Sequence, residues 1–574
     1  MNLSSWLAPL VVPLLIGVLL TARPGPRTSW LLVVAPLPAA LLAFTGAPTP
    51  GLELPWLLLD VHLALDDVGR ALLGLTALVW TVAGVYSRRE VEQRGGYAAW
   101  WLLSLTGNVG VILADDVLSF YTAFVLMTLA AYGLVVHTRS RAARRAGRVY
   151  IVLGVAGETL LLAGLLVAAV DAPGLRLGEV AGAVGGSSQR DLVVALLVAG
   201  FGIKAGVIGL HVWLPLAHPA APFAASAVLS GAMIKAGLVG WLRLLPIGAL
   251  PLPGWSMLLI ALGLGGAFLG VAFGLTQRAP KVVLAYSSVS QMGFVTLLVG
   301  VALGTPVAAP VAVAAAATYA LHHGIAKAVL FLGVGLLPGA RPGWRRTAVL
   351  VGVATAGLSL AGAPLTSGAF AKAWMKQSLD LALLDPRLAT AASLAAVGTT
   401  LLMARLLLLL TAQRSAQEAA PVGLGPWCAL TTGMLVLTPL VAPRLFDELV
   451  VPGRTTVAAE ALWPVVLGAA VATAAAVLQR RRPMTAPALP PGDLVVLGER
   501  LVTGAARRLA AVAAPVAADL SRGSASARDA VRALAHHAER LDRLEDRLTR
   551  WRTGGAMVAL LGVALLLTLG ASNV

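Results

Sequence analysis

One cysteine, Cys428, stands among 574 residues. That excludes a disulfide framework and a cysteine-ligated iron–sulfur cluster within this chain. Charge is scarce as well: 12% of residues are charged, against about 25% in soluble domains. Neither a dinucleotide-binding glycine fingerprint nor a phosphate-binding P-loop is present. Any redox chemistry or nucleotide hydrolysis must therefore come from partners, and no cofactor is expected in this chain. What is abundant is apolar: 58% of residues are hydrophobic. Runs of about 20 apolar residues, each enough to span a bilayer, recur along almost the whole length. The fold class is an all-α polytopic membrane protein. The 61 glycines suit helices that pack closely in lipid. A net charge of +17 in so apolar a chain reads as basic loops against an anionic cytoplasmic leaflet, not as nucleic-acid binding.

Run length gives about 16 spans: 3–22, 29–46, 68–86, 97–114, 117–136, 149–170, 191–214, 223–245, 255–275, 281–303, 309–333, 346–363, 388–411, 424–442, 459–479 and 555–571. The first has no charged leader and no clear cleavage site, so it reads as a retained helix. Loops after odd spans are basic: Arg23 and Arg27, Arg88 and Arg89, Arg139 to Arg148, Arg278 with Lys281, Arg341 to Arg346. Loops after even spans lean acidic: Glu53 and Asp60, Asp115 and Asp116, Asp171 and Glu179, Asp447 and Glu448. The alternation predicts a bacterial-type inner (plasma) membrane protein with both termini outside the cytoplasm. Residues 480–552 differ, with 14 arginines against 8 acids. Within them, 526–551 has helical apolar spacing and reads as an amphipathic helix on the cytoplasmic surface.

Two places interrupt the helical pattern: Pro215, Pro219 and Pro222, and GAPLTSGAF at 362–370. Paired broken helices in the two halves of a transporter point to an ion site. The lysines gather around them. Of 43 basic residues only six are lysine: Lys204, Lys235, Lys281, Lys327, Lys372 and Lys376. Arginine stays protonated, whereas buried lysine releases its proton readily and a nearby carboxylate restores it. Lys204, Lys235 and Lys327 therefore read as proton carriers. Lys281 and Lys376, near span ends, read as interfacial or structurally paired. Lys204 and His211, seven apart, are expected on one helix face. His323 and Lys327 are neighbours at i, i+4. His211, His218, His322 and His323 all lie near these lysines and can pass protons near neutrality. Tyr286, Ser287, Ser288 and Gln291 either hold water between stations or bond helix to helix.

At these residues the chain resembles a known family. GIKAGVIGLHVWLPLAHPAAPFAASAVLSGAMIKAG is similar to the signature of the proton-translocating, antiporter-like membrane subunits of respiratory complex I. Mrp-type cation/proton antiporter subunits and membrane subunits of energy-converting hydrogenases belong to the same family. KVVLAYSSVSQMG, LHHGIAKAVLFLGVG and SLAGAPLTSGAFAK follow in the family's order. The resemblance covers roughly 60–445. It implies a core of 14 helices with two inverted five-helix repeats, each with a broken helix, and a mid-membrane proton path. It implies that Lys204 is the central lysine, Lys235 the linking one, His323 and Lys327 the His-x-x-x-Lys element, and Lys372 the terminal charge. The surface helix and extra final span resemble the lateral helix of the distal complex I subunit. Two positions depart from the pattern. Val125 stands where the family has the glutamate that pairs with the central lysine, and Ala279 replaces an Asp. Glu158, alone in the apolar run IVLGVAGETLLLAGLL, is the surrogate carboxylate.

The organisation that follows is N-terminal helices at 1–96 and a translocating core at 97–415. Further core helices occupy 416–479, the lateral-helix region 480–554 and the final span 555–574. The expected function is proton conduction in a multi-subunit membrane complex through a relay of Lys204, Lys235, His323, Lys327 and Lys372 with His211 and His218. Expected partners are other membrane subunits and a soluble or redox module. The alternatives are an Mrp-type sodium/proton antiporter subunit, a proton-coupled inorganic carbon uptake subunit, and a non-pumping structural subunit.

Overall fold

The structure, a computed structural model, describes residues 3–45, 51–58, 60–93, 96–338, 340, 342–413, 423–450, 454–481, 489–492 and 496. It is a helical bundle. First come α1 (Leu3–Ala22), a 3-10 turn at Thr28–Trp30, α2 (Leu31–Val34) and α3 (Leu37–Phe44). The hairpin of β1 (Leu52–Leu54) and β2 (Val61–Leu63) leads to α4 (Asp67–Gln93), α5 (Gly96–Leu113), α6 (Val117–Val135) and α7 (Arg141–Val170). A short helix α8 (Leu177–Gly186) precedes the pair α9 (Arg190–Ala205) and α10 (Leu214–Ala220). Then α11 (Phe223–Val228), a π-helical turn Leu229–Met233 and α12 (Lys235–Leu244) form one crossing. Next are α13 (Pro253–Leu275), α14 (Pro280–Gly304) and α15 (Ala309–Leu336). The pair α16 (Trp344–Ala361) and α17 (Ser367–Leu381) is followed by α18 (Pro386–Thr411), α19 (Gly425–Leu445) and α20 (Arg454–Arg481).

Twelve of these crossings are long and apolar enough to traverse a membrane, among the described residues. They coincide with twelve of the sequence spans. Three more spans take other forms. The one at 29–46 is the piece Thr28–Phe44, interrupted where Pro36 and Pro38 withhold amide donors. Those at 191–214 and 346–363 are the broken helices. The last span, 555–571, and the amphipathic stretch 526–551 lie outside the described residues. α5 and α14 are enclosed on every side, which is why both are apolar all round.

The first break is not where the prolines suggest. The chain unwinds earlier, at Gly206, which takes φ 74°. Two of the three prolines begin helices instead: Pro215 opens α10 and Pro222 precedes α11, while Pro219 lies within the last turn of α10. A missing amide costs nothing in a first helical turn. The second break is built in the same way at Gly362, φ 84°. Both glycines close a Schellman cap. Val207 N–H donates to Gly202 O at 3.0 Å, and Ala363 N–H to Leu358 O at 2.9 Å. The indole of Trp213 adds a bond to Ile203 O at 2.8 Å, so a carbonyl freed within the membrane is satisfied by protein.

The face bearing the acidic loops is stapled by side chains. Asp116 caps α6 through Ser119 N–H at 2.7 Å and also accepts from His62 N–H at 2.9 Å. Asp66 Oδ1 accepts from Gly69 N–H at 2.7 Å and from Arg243 at 3.0 Å. Partial desolvation opposes ionisation of Asp66, but the Arg243 guanidinium and the Gly69 amide outweigh it and hold the carboxyl below the usual carboxylate range.

Candidate functional site

Close backbone contact assembles the site. α7 and α9 cross where a Cβ on Gly200 would stand 2.9 Å from Gly157 O. This contact brings Glu158 and Lys204 within electrostatic range of each other, each only 6% exposed. The Lys204 ammonium donates to the Thr128 hydroxyl at 3.0 Å and to the Tyr150 hydroxyl at 3.4 Å. Thr128 in turn donates to Phe124 O at 3.1 Å. The Glu158 carboxyl interacts with the same Thr128 side chain and electrostatically with Lys204. Thr128 thus links acid and base. A cavity of ≈ 10 Å³ bounded by Phe124, Thr128, Tyr150, Lys204 and Trp213 is near the lower limit for one water.

The centre of the row is built in the same way. α12 presses on α9, where a Cβ on Gly237 would lie 2.6 Å from Phe201 O. The π-helical turn crosses α15 at Gly231 and Gly324. Lys235, the first residue of α12, donates to Ser230 O at 2.5 Å. It interacts electrostatically with His323 and with Lys327. Lys327 donates to Leu284 O at 2.8 Å. His323 is completely buried, and neither ring nitrogen has a hydrogen-bond partner among the described residues.

The row continues to the second break. His322 Nδ1 pairs with Ser367 Oγ at 2.8 Å and the ring interacts electrostatically with Lys372. Lys372 donates to Ala361 O at 2.6 Å, the last residue of α16. Lys204 occupies the last turn of α9. Both terminal ammonium groups therefore sit at the C-terminal end of a first half-helix, where the aligned peptide dipoles favour positive charge.

One sequence expectation needs correction. Lys204 and His211 do not share a helix face, because α9 ends at Ala205 and His211 lies on the unwound segment. His211 Nδ1 accepts from Gly209 N–H at 3.2 Å, and its ring lies 6.0 Å from that of Tyr286. His218 stacks on Phe331 at 4.6 Å, with neither ring nitrogen hydrogen-bonded among the described residues. It interacts electrostatically with Lys281 and Lys327. Of the polar residues on α14, two chiefly bond helix to helix: Ser288 to Ser230 at 2.8 Å, and Gln291 to Thr399 and Tyr319. Lys281 donates to Ala221 O and lies over the Phe223 ring. Sequence reasoning passed over Thr128 and Tyr150; no periodicity marks a hydroxyl that faces a lysine from another helix.

Two broken helices with buried ionisable side chains gathered around them form an architecture found in ion-translocating membrane proteins. The family profile described as "NADH:quinone oxidoreductase/Mrp antiporter, TM" matches residues 114–379. Hydrogenase-4 component B of Escherichia coli (strain K12) is 32% identical over 306 residues, 49% of this chain and 44% of that protein. NADH-quinone oxidoreductase subunit N of Paraburkholderia phymatum is 30% identical over 329 residues, 55% of this chain and 67% of that protein. The Mrp complex of Dietzia sp. DQ12-45-1b contains a chain of the same fold. Its TM-score is 0.72 at 24% identity, covering 95% of this chain and 63% of that one. This chain belongs to the NADH:quinone oxidoreductase/Mrp antiporter transmembrane family. It spans about half the length of the hydrogenase component and about two thirds of the oxidoreductase subunit.

Proposed function

We propose that this chain is a proton-conducting subunit of a multi-subunit membrane complex. Protons pass along Glu158, Lys204, Lys235, His323, Lys327, His322 and Lys372, with His211 and His218 beside the path. The observation that carries the reading is the concentration of buried, titratable and partly unpartnered groups around the two helix breaks. An unsatisfied buried polar atom costs about 1–3 kcal/mol. His218 and His323 together carry four such nitrogens. A structural core would shed them; a path that carries water and protons requires them. The Glu158–Thr128–Lys204 cluster supplies the switch. A movement that separates the carboxylate from the ammonium strips Lys204 of its counter-charge and sends its proton onward.

The driving chemistry lies in partner subunits, and the basic loops face the cytoplasm. The test is proton flux into liposomes carrying the complex with its native subunits, read by an interior pH dye. Lys204→Ala abolishes flux. Unchanged flux with intact assembly would leave a structural subunit as the only reading.

A further inference from the structure

Lys372 ends the relay, and the route from it to water is not assigned by the family motif. Two neighbouring spaces bear on this. Lys372 lines a cavity of ≈ 30 Å³, enough for a water molecule. Next to it lies a cleft of ≈ 770 Å³, lined among others by Lys376, Gln377, Asp380, Thr390, Ser393 and Glu460. Its other walls are apolar, Leu381, Val457 and Trp463 among them, and the polar side chains give water a place to bind along one part of the lining. The two spaces share Ala373, Lys376, Ser393, Val457 and Glu460 as walls. Across that shared wall Lys376 donates to Glu460 Oε2 at 2.9 Å. Lys376 comes from α17, inside the segment matched by the family profile, and Glu460 from α20, outside it. The cleft lies toward the end of α17 that leads into Asp385, on the face of the acidic loops.

We propose that the Lys376–Glu460 pair is the gate through which Lys372 exchanges protons with water on the acidic-loop face, and that Glu460 is the carboxylate that carries them. This rests on the relay proposed above. The Lys372 ammonium gives a proton to water in the small cavity and becomes a neutral amine. That water passes the proton to the Glu460 carboxylate, which becomes a carboxylic acid. The acid no longer attracts the Lys376 ammonium, so the pair separates and the wall opens. Glu460 then releases the proton to cleft water, and the restored carboxylate closes on Lys376. The same steps reversed serve uptake.

The experiment uses the full chain with its native subunits in liposomes, with assembly checked on native gels and Lys204→Ala as the control. Glu460→Gln is expected to cut proton flux at least about 10-fold, as loss of a proton-transferring side chain does, and Glu460→Asp to retain most of it. In a Cys428→Ser background, Ala373→Cys is expected to react with a membrane-impermeant thiol reagent added on the acidic-loop side, and the modification to block flux. Full flux in Glu460→Gln while Lys204→Ala abolishes it overturns the gate and leaves the relay standing. If Glu460→Gln does not assemble, the thiol experiment decides: an unreactive Ala373→Cys overturns the gate. Full flux in Lys204→Ala removes the relay and the gate with it.

Discussion

Gly324 lies against Gly231 so closely that a Cβ on Gly324 would stand 2.4 Å from the Gly231 carbonyl oxygen. The obstruction is backbone, which cannot swing aside as a side chain can. The same contact brings Lys235 to His323. Gly324→Ala is therefore expected to cost about 1–3 kcal/mol of stability, as overpacking does. It should also lower proton flux, because α15 must move away from Lys235. Thermal unfolding of the purified complex and liposome flux measure the two effects separately.

Lys204 offers a sharper distinction. Arginine keeps its charge but does not deprotonate in proteins. Lys204→Arg is expected to abolish flux as fully as Lys204→Ala, although it keeps a cation beside Glu158. Restored flux in the arginine variant would mean that Lys204 serves only as a fixed charge.

Glu158 and Thr128 act on the same ammonium group. Glu158→Gln and Thr128→Val should each slow flux about 10-fold or more, and the double variant little further. Groups in one hydrogen-bonded network do not add independently. Additive losses in this double-mutant cycle would show that the carboxylate and hydroxyl work apart.

His323 is buried with no hydrogen-bond partner among the described residues. Removing such a group relieves a desolvation cost of about 1–3 kcal/mol. His323→Leu is expected to leave stability unchanged or raised while flux falls. A large loss of thermal stability would assign the imidazole to packing instead.

The Asp66–Arg243 pair predicts a pH dependence. The folded state holds the Asp66 carboxyl below its ordinary range. Its contribution is therefore present above the unfolded pKa of about 3.9 and is lost as pH falls through the lower folded value. Asp66 keeps 54% of its side-chain surface exposed, so solvent screening limits the contribution to at most about 1 kcal/mol. Asp66→Asn should lower the melting temperature slightly at pH 7 and have no effect near pH 2. An equal loss at both pH values would trace the effect to the Gly69 hydrogen bond rather than to charge.

Much of the architecture was legible in the residues. Apolar runs need about 20 residues to cross a bilayer, and that length rule alone located the twelve long crossings. The clustering of six lysines among 37 arginines marked the buried bases before any contact was known. The position of the first break was less legible. Proline reads as a helix breaker, yet Pro215 and Pro222 begin helices, and a left-handed glycine ends the preceding one.

The sequence by itself determined what local physics controls: which segments enter lipid, which helices are interrupted, and which side chains cannot stay charged there without a reason. The tertiary structure alone decided which of those side chains meet. Glu158 comes within electrostatic range of Lys204 because Gly157 and Gly200 let two backbones touch, and Thr128 from a third helix interacts with both. Glu460 reaches Lys376 across 84 residues of chain. Such partnerships depend on the crossing of helices distant in sequence, and helical periodicity places a residue on a face without saying which helix that face will meet.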